Sequence, residues 1–202
     1  MTDHQIITIR LTADELRTIY KHAKSSAIGG KSQVRTDDRK AFCFEDQFVG
    51  LLGNAALAVW RDGDIRAYLD MRHAQDRFPD SGDGGYDLPR LRFDIKTSMM
   101  RTRPDPLGYN LAVRPRERHD GWVYGLGLVR KFTLDDLKES PQLDVHLIGW
   151  ALDSDLPEHP NGVGALKGAC CIQARNLTPF TPLMYETGRV VRFGVSEIKR
   201  AA

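Results

Sequence analysis

Gly84-Gly85-Tyr86-Asp87-Leu88-Pro89-Arg90-Leu91-Arg92-Phe93-Asp94-Ile95-Lys96-Thr97-Ser98 is the stretch whose reading decides the fold. Tyr86 and Leu88 alternate with Asp87, Pro89-Arg90 supplies a turn, and the alternation resumes with Leu91, Phe93 and Ile95 on one face. Arg92, Asp94, Lys96 and Ser98 fall on the other. Side chains of a strand point alternately to its two faces, so this pattern predicts a hairpin with one apolar and one polar side. Asp94 and Lys96 must then project together, and Asp87 on the preceding strand can face the same way. Two carboxylates and an ammonium converging at one place suit a hard divalent cation, which takes oxygen ligands and keeps several waters. A lysine beside it can hold or help deprotonate an attacking water.

Outward from this hairpin, the flanking segments read as alternating helices and strands. Upstream, Phe48, Leu51, Leu52, Ala55, Ala56 and Val59 recur at helical spacing and predict a helix over Phe44 to Trp60. Gly50, Gly53 and Ala56 lie three apart on it, which would let it sit close against a sheet. Ile6 to Leu11 reads as a short strand, and Thr12-Ala13-Asp14-Glu15 as a capping box opening a helix towards Ala23. Downstream, Trp122 to Val129 is an apolar run suited to a buried central strand. Thr133 can cap a short helix through Lys138, and Val145 to Leu152 and Ala169 to Gln173 read as strands. Tyr109 to Val113 is a further short strand candidate, and Leu177-Thr178-Pro179 reads as a helix start.

In this order the elements and motifs resemble the PD-(D/E)xK nuclease superfamily. Its core runs helix, three strands, helix, strand, with an aspartate on the first catalytic strand and an acidic-x-Lys triplet on the next. The likeness rests on Gly-Gly-Tyr86-Asp87-Leu88 and Phe93-Asp94-Ile95-Lys96-Thr97-Ser98 and spans roughly residues 44 to 152. The resemblance implies an α/β (α+β) restriction-endonuclease-like fold, a central mixed sheet flanked by helices. It implies a single domain over residues 1–202, with an N-terminal helical extension over 1–40 and a C-terminal one over 153–202. Asp87, Asp94 and the backbone carbonyl of Ile95 would hold Mg²⁺, with Mn²⁺ as a substitute, and Lys96 would serve the water. The expected activity is metal-dependent hydrolysis of DNA phosphodiester bonds, as an endonuclease.

The chain departs from the family pattern on the first helix, where a glutamate often follows Gly-x-x-Gly and this sequence reads Gly50-Leu51-Leu52-Gly53-Asn54. Asn54 takes that position in the expected catalytic set, with Glu45 as the weaker alternative. An amide brings no negative charge, so it should weaken metal binding or remove a second ion site. That substitution motivates a second reading, a nuclease-fold module that binds nucleic acid or protein without cutting. A third is a hydrolase of small phosphodiesters.

Composition bounds these readings loosely. The 202 residues, 41% of them hydrophobic, can form one sizeable core. With 29 basic and 27 acidic residues, net charge neither demands nor excludes a polyanion, so local clustering decides. Arg101, Arg103, Arg114 and Arg116, with Arg118, are the candidate phosphate contacts, although a solvated basic loop explains them equally well. The cysteines, Cys43, Cys170 and Cys171, lack metal-binding spacing, and no apolar run is long enough to span a bilayer. A reduced, cytoplasmic, soluble protein is expected, forming a homodimer if both strands of a duplex are cut. His146, inside an apolar strand, reads as a hydrogen-bonded core residue, and Trp60, Trp122 and Trp150 as packing groups.

Overall fold

The computed structural model describes residues 5–28, 44–66, 68–70, 92–101, 104–139, 141–180, 183–186 and 189–192. Asp87 and the first arm of the expected hairpin, and the arginine at 103, lie outside them. The fold is mixed α/β with a central mixed sheet. Among the described residues four strands make the sheet: β1 (Ile7–Leu11), β2 (Phe93–Met100), β4 (Val123–Arg130) and β5 (Leu143–Leu152). Their order is β1-β5-β4-β2, with β2 parallel to β4 and the other pairs antiparallel. β3 (Asn110–Val113) pairs with β6 (Cys170–Gln173) in a separate ribbon, and β7 (Leu183–Glu186) pairs with β8 (Arg189–Arg192).

Local chemistry explains the helix starts. At α1 (Ala13–Ile28), the Thr12 N–H donates to Glu15 Oε2 at 2.7 Å and the Glu15 N–H points back to Thr12 Oγ1 at 3.5 Å. That is the reciprocal capping read from the sequence. α3 (Leu134–Glu139) repeats the device with Thr133 and Asp136, and those hydrogen bonds hold the Asp136 carboxyl below its ordinary value. The longest helix, α2 (Phe44–Asp62), is buried without interruption from Leu51 to Val59.

The sheet separates two apolar layers. Phe93, Ile95 and Met99 of β2 join α1, α2 and the Val145 and Leu147 side of β5 in one of them. Tyr124, Leu126 and Leu128 of β4 pack in the other with Leu111, Val113 and Cys170 of the ribbon. Asp94, Lys96 and Met100 share this second face of β2 by alternation. A bulge opposite Leu126 and Gly127 places Ile148 and Gly149 together on the ribbon side, which re-phases β5 so that Trp150 returns to the helix side.

Both terminal segments, expected as extensions outside the core, contribute to it. β1 is an edge strand of the central sheet, and Phe180 stacks edge-on against Trp60 at 5.2 Å and meets Phe93 at 6.2 Å. No helix begins at Thr178: its N–H donates to the Trp150 carbonyl at 2.9 Å and its carbonyl accepts from the Trp150 N–H at 2.8 Å. With both backbone groups engaged by a strand, the residue is extended and Pro179 cannot serve as a helix start. Trp122 and Trp150 are buried, as their sequence context suggested; His146 is hydrogen-bonded as expected, to Thr8 Oγ1 at 2.9 Å, but is half-buried and not part of the core. No helix among the described residues is long and apolar enough to cross a membrane.

The close helix-on-sheet approach expected from the small residues of α2 falls on Gly53 alone of the two glycines. A Cβ there would lie 1.7 Å from Thr97 Oγ1 and 3.0 Å from Thr97 Cβ, whereas one at Gly50 would meet nothing within 4 Å. Gly53→Ala should therefore destabilise the protein despite a helix-propensity gain of about 1 kcal/mol, because overpacking costs about 1–3 kcal/mol. Urea denaturation checks this. Thr97→Ala in the same chain should restore part of the loss, since it removes Oγ1, the closest obstructing atom, while Cβ stays, and it also removes a buried hydroxyl that has no hydrogen-bond partner among the described residues.

Candidate active site

Asp94 and Lys96 are brought together as the alternation of β2 requires. Lys96 Nζ lies 2.8 Å from Asp94 Oδ2 and, on its other side, 3.1 Å from Glu117 Oε2. The three side chains are sheltered without being sealed, at 14% exposure for Asp94, 28% for Lys96 and 24% for Glu117, so water and a small ion can reach them. Burial alone would lower the lysine's pKa, but the two carboxylates outweigh it and raise the group above its ordinary value. Lys96 is thus an ammonium throughout the neutral range.

Glu117 was not among the residues singled out from the sequence. It ends a 3₁₀ turn (Pro115–Glu117) that leads from β3 towards β4, and three contacts fix that turn. The Glu117 N–H donates to the Arg114 carbonyl at 2.8 Å. Tyr124, which faces Asp94 across the β2–β4 register, donates its hydroxyl to the Glu117 carbonyl at 2.9 Å and accepts from the His119 N–H at 2.8 Å. Burial pushes the Tyr124 phenol up to about 12, so it stays a neutral donor. Arg118 completes the anchorage. Its guanidinium forks onto Asp153 at 2.9 and 3.2 Å and also donates to the carbonyls of Asp153 and Pro157, at 2.9 and 2.8 Å.

The remaining expected residues are placed differently. Asn54 is buried, at 8% exposure, in the helix that covers the Phe93, Ile95 and Thr97 side of β2, the side away from Asp94 and Lys96. Glu45, at the start of the same helix, pairs at 3.3 Å with Arg101, and both are exposed. A pair so open to solvent contributes about 0–1 kcal/mol, and Arg101 can trade it for a phosphate. Arg114 and Arg116 belong to the same turn as Glu117, and Arg116 is exposed. Arg118, grouped with them as a phosphate contact, is instead engaged inside the protein by Asp153.

Comparisons with known proteins add no relative to this picture. No family model, no curated protein and no solved structure matches the chain.

Asp94 carries oxygen donors of the kind a hard cation takes. Mg²⁺ is commonly held by one or two carboxylates with water completing its shell, and Asp94 offers such a carboxylate beside the Ile95 backbone. No group of three or more histidine, cysteine, aspartate or glutamate side chains converges among the described residues. Asp94 and Glu117, joined through one ammonium, are the acidic groups this site presents there.

Proposed function

We propose that this chain is a Mg²⁺-dependent nuclease that hydrolyses DNA phosphodiester bonds internally. The observation that carries the reading is the sheltered Asp94–Lys96 pair on one face of β2, in the acidic-x-Lys order that resembles the PD-(D/E)xK superfamily. Asp94, the Ile95 carbonyl and Asp87 would hold the ion, with Mn²⁺ able to replace Mg²⁺. Bound there, the ion supplies Lewis-acid stabilisation of charge on the phosphate.

The protein's own groups have narrower tasks. Lys96 acts as a charged hydrogen-bond donor that holds the attacking water or a phosphate oxygen. In the metal-free protein two carboxylates raise the lysine's pKa and hold the group as an ammonium. Arg114 and Arg116, on the turn beside the site, and Arg101 and Arg103 after β2 are the proposed contacts to the DNA backbone. Such contacts position the duplex without reading its sequence. A cytoplasmic setting and a homodimer for double-strand cutting accompany the proposal.

Cleavage of plasmid and single-stranded DNA, with Mg²⁺ or with EDTA, tests it. Activity should require the metal and should fall in Lys96→Ala, while equal cutting by both proteins would remove the mechanism. One observation favours a second reading, a module that binds nucleic acid without cutting: Asn54 is neutral and buried on the far side of β2. A wild type that retains DNA under metal but leaves it intact would select that reading.

A further inference from the structure

Among the described residues Lys96 has two carboxylate partners, and the proposed chemistry needs one of them elsewhere. If Asp94 turned to a divalent ion, the lysine would share or lose its closer partner and gain a cationic neighbour that repels it. Left alone, a four-carbon side chain with a strongly hydrated head would swing towards water. Glu117 Oε2, at 3.1 Å from Nζ, is the remaining anchor among the described residues. Its backbone is held by Tyr124 and by the hydrogen bonds of its own turn, so the carboxylate is presented from a fixed position.

We propose that Glu117 is a positioning residue: it retains the Lys96 ammonium over the site when Asp94 engages the metal. The inference rests on the nuclease reading for its catalytic consequence, but the restraint on Lys96 is a property of the chain alone. It assigns a role to an acid that comes from the turn before β4, not from the helix where the resemblance looks for one.

The experiment compares wild type, Glu117→Gln and Glu117→Ala in three measurements. Reductive methylation of Lys96, followed by mass spectrometry with and without saturating Mg²⁺ and over a range of pH, reports how tightly the amine is held once the share due to its protonation is separated by the pH dependence. Both variants should label several-fold faster than wild type when Mg²⁺ is present, and equal labelling would overturn the proposal. Mn²⁺ affinity, read from the free-ion EPR signal, should stay within about two-fold of wild type. A parallel loss of affinity would make Glu117 a ligand and overturn the positioning role. Cleavage should lose about ten-fold in kcat in Glu117→Gln with KM for DNA little changed, less than the roughly 10²–10⁴-fold of a group that transfers the proton itself; an unchanged kcat would also count against it. A wild type that binds no Mn²⁺ and cuts nothing sinks the nuclease reading instead; faster labelling of both variants without metal, with Asp94 still beside Lys96, would then show that Glu117 restrains the amine, and equal labelling would overturn that as well.

Discussion

Lys96→Ala is expected to lower metal-dependent cleavage by about 10²–10³-fold, the usual loss when one preorganised charged donor is removed from a site of developing negative charge. The same substitution should reduce stability. Asp94 and Glu117 sit against the sheet at 14% and 24% exposure, and the ammonium is the cation that the structure places between them. Removing one partner of a fully buried ion pair costs about 3–5 kcal/mol, and partial access to water should reduce that to about 2 kcal/mol here. Lys96→Arg separates the two effects. It keeps the charge and most of the stability, yet its planar fork cannot reproduce a compact ammonium, so cleavage should remain low. The pH dependence follows from the raised pKa. A lysine lifted by folding contributes stability fully at any pH below its unfolded value of about 10.4 and loses it only as pH rises through the folded value. The part of the wild-type advantage that comes from the lysine should therefore be flat between pH 6 and 9 in urea titrations. Undiminished cutting by Lys96→Ala would sink the catalytic assignment whatever the stability shows.

How much of this was legible beforehand depends on the range of the interaction. Short-range chemistry was readable: the Thr12 and Thr133 caps, the buried run that becomes β4, and the period-two alternation that turns Asp94 and Lys96 to one face are all written within a few residues. The helix expected at Thr178 failed because a local capping signal was overridden by backbone pairing with Trp150, a strand more than 20 residues away. Membership of β1 in the central sheet depends on its register with β5, from Ile7 against Leu147 to Leu11 against Leu143, and no local pattern reports that. Glu117 was hidden for the same reason. Its one local mark is being the acid within Arg114-Pro115-Arg116-Glu117-Arg118, a run that reads as basic. Only the parallel pairing of β2 with β4 brings that turn to Lys96.

The clamp behind the site supports the second large effect. Arg118→Ala should destabilise the protein by about 3 kcal/mol, because it leaves the Asp153 carboxylate, 15% exposed, without its bidentate partner and strands the Pro157 carbonyl. Arg118→Lys should recover little of this. A single ammonium cannot span both carboxylate oxygens and two carbonyls that the guanidinium now reaches with three nitrogens. Asp153→Asn in the Arg118→Ala background should be milder than the two single losses added together, since no unpaired charge then remains. Denaturation of the four proteins in urea gives this coupling directly. A physical consequence reaches the active site as well: Arg118 immediately follows Glu117, so loosening the clamp frees the turn that presents the carboxylate to Lys96. Faster labelling of Lys96 in Arg118→Ala, measured well below its unfolding midpoint, is the expected sign. An Arg118→Ala protein as stable as wild type, with Lys96 labelled at the wild-type rate, would mean that Tyr124 and the turn's own hydrogen bonds hold Glu117 without help from Asp153.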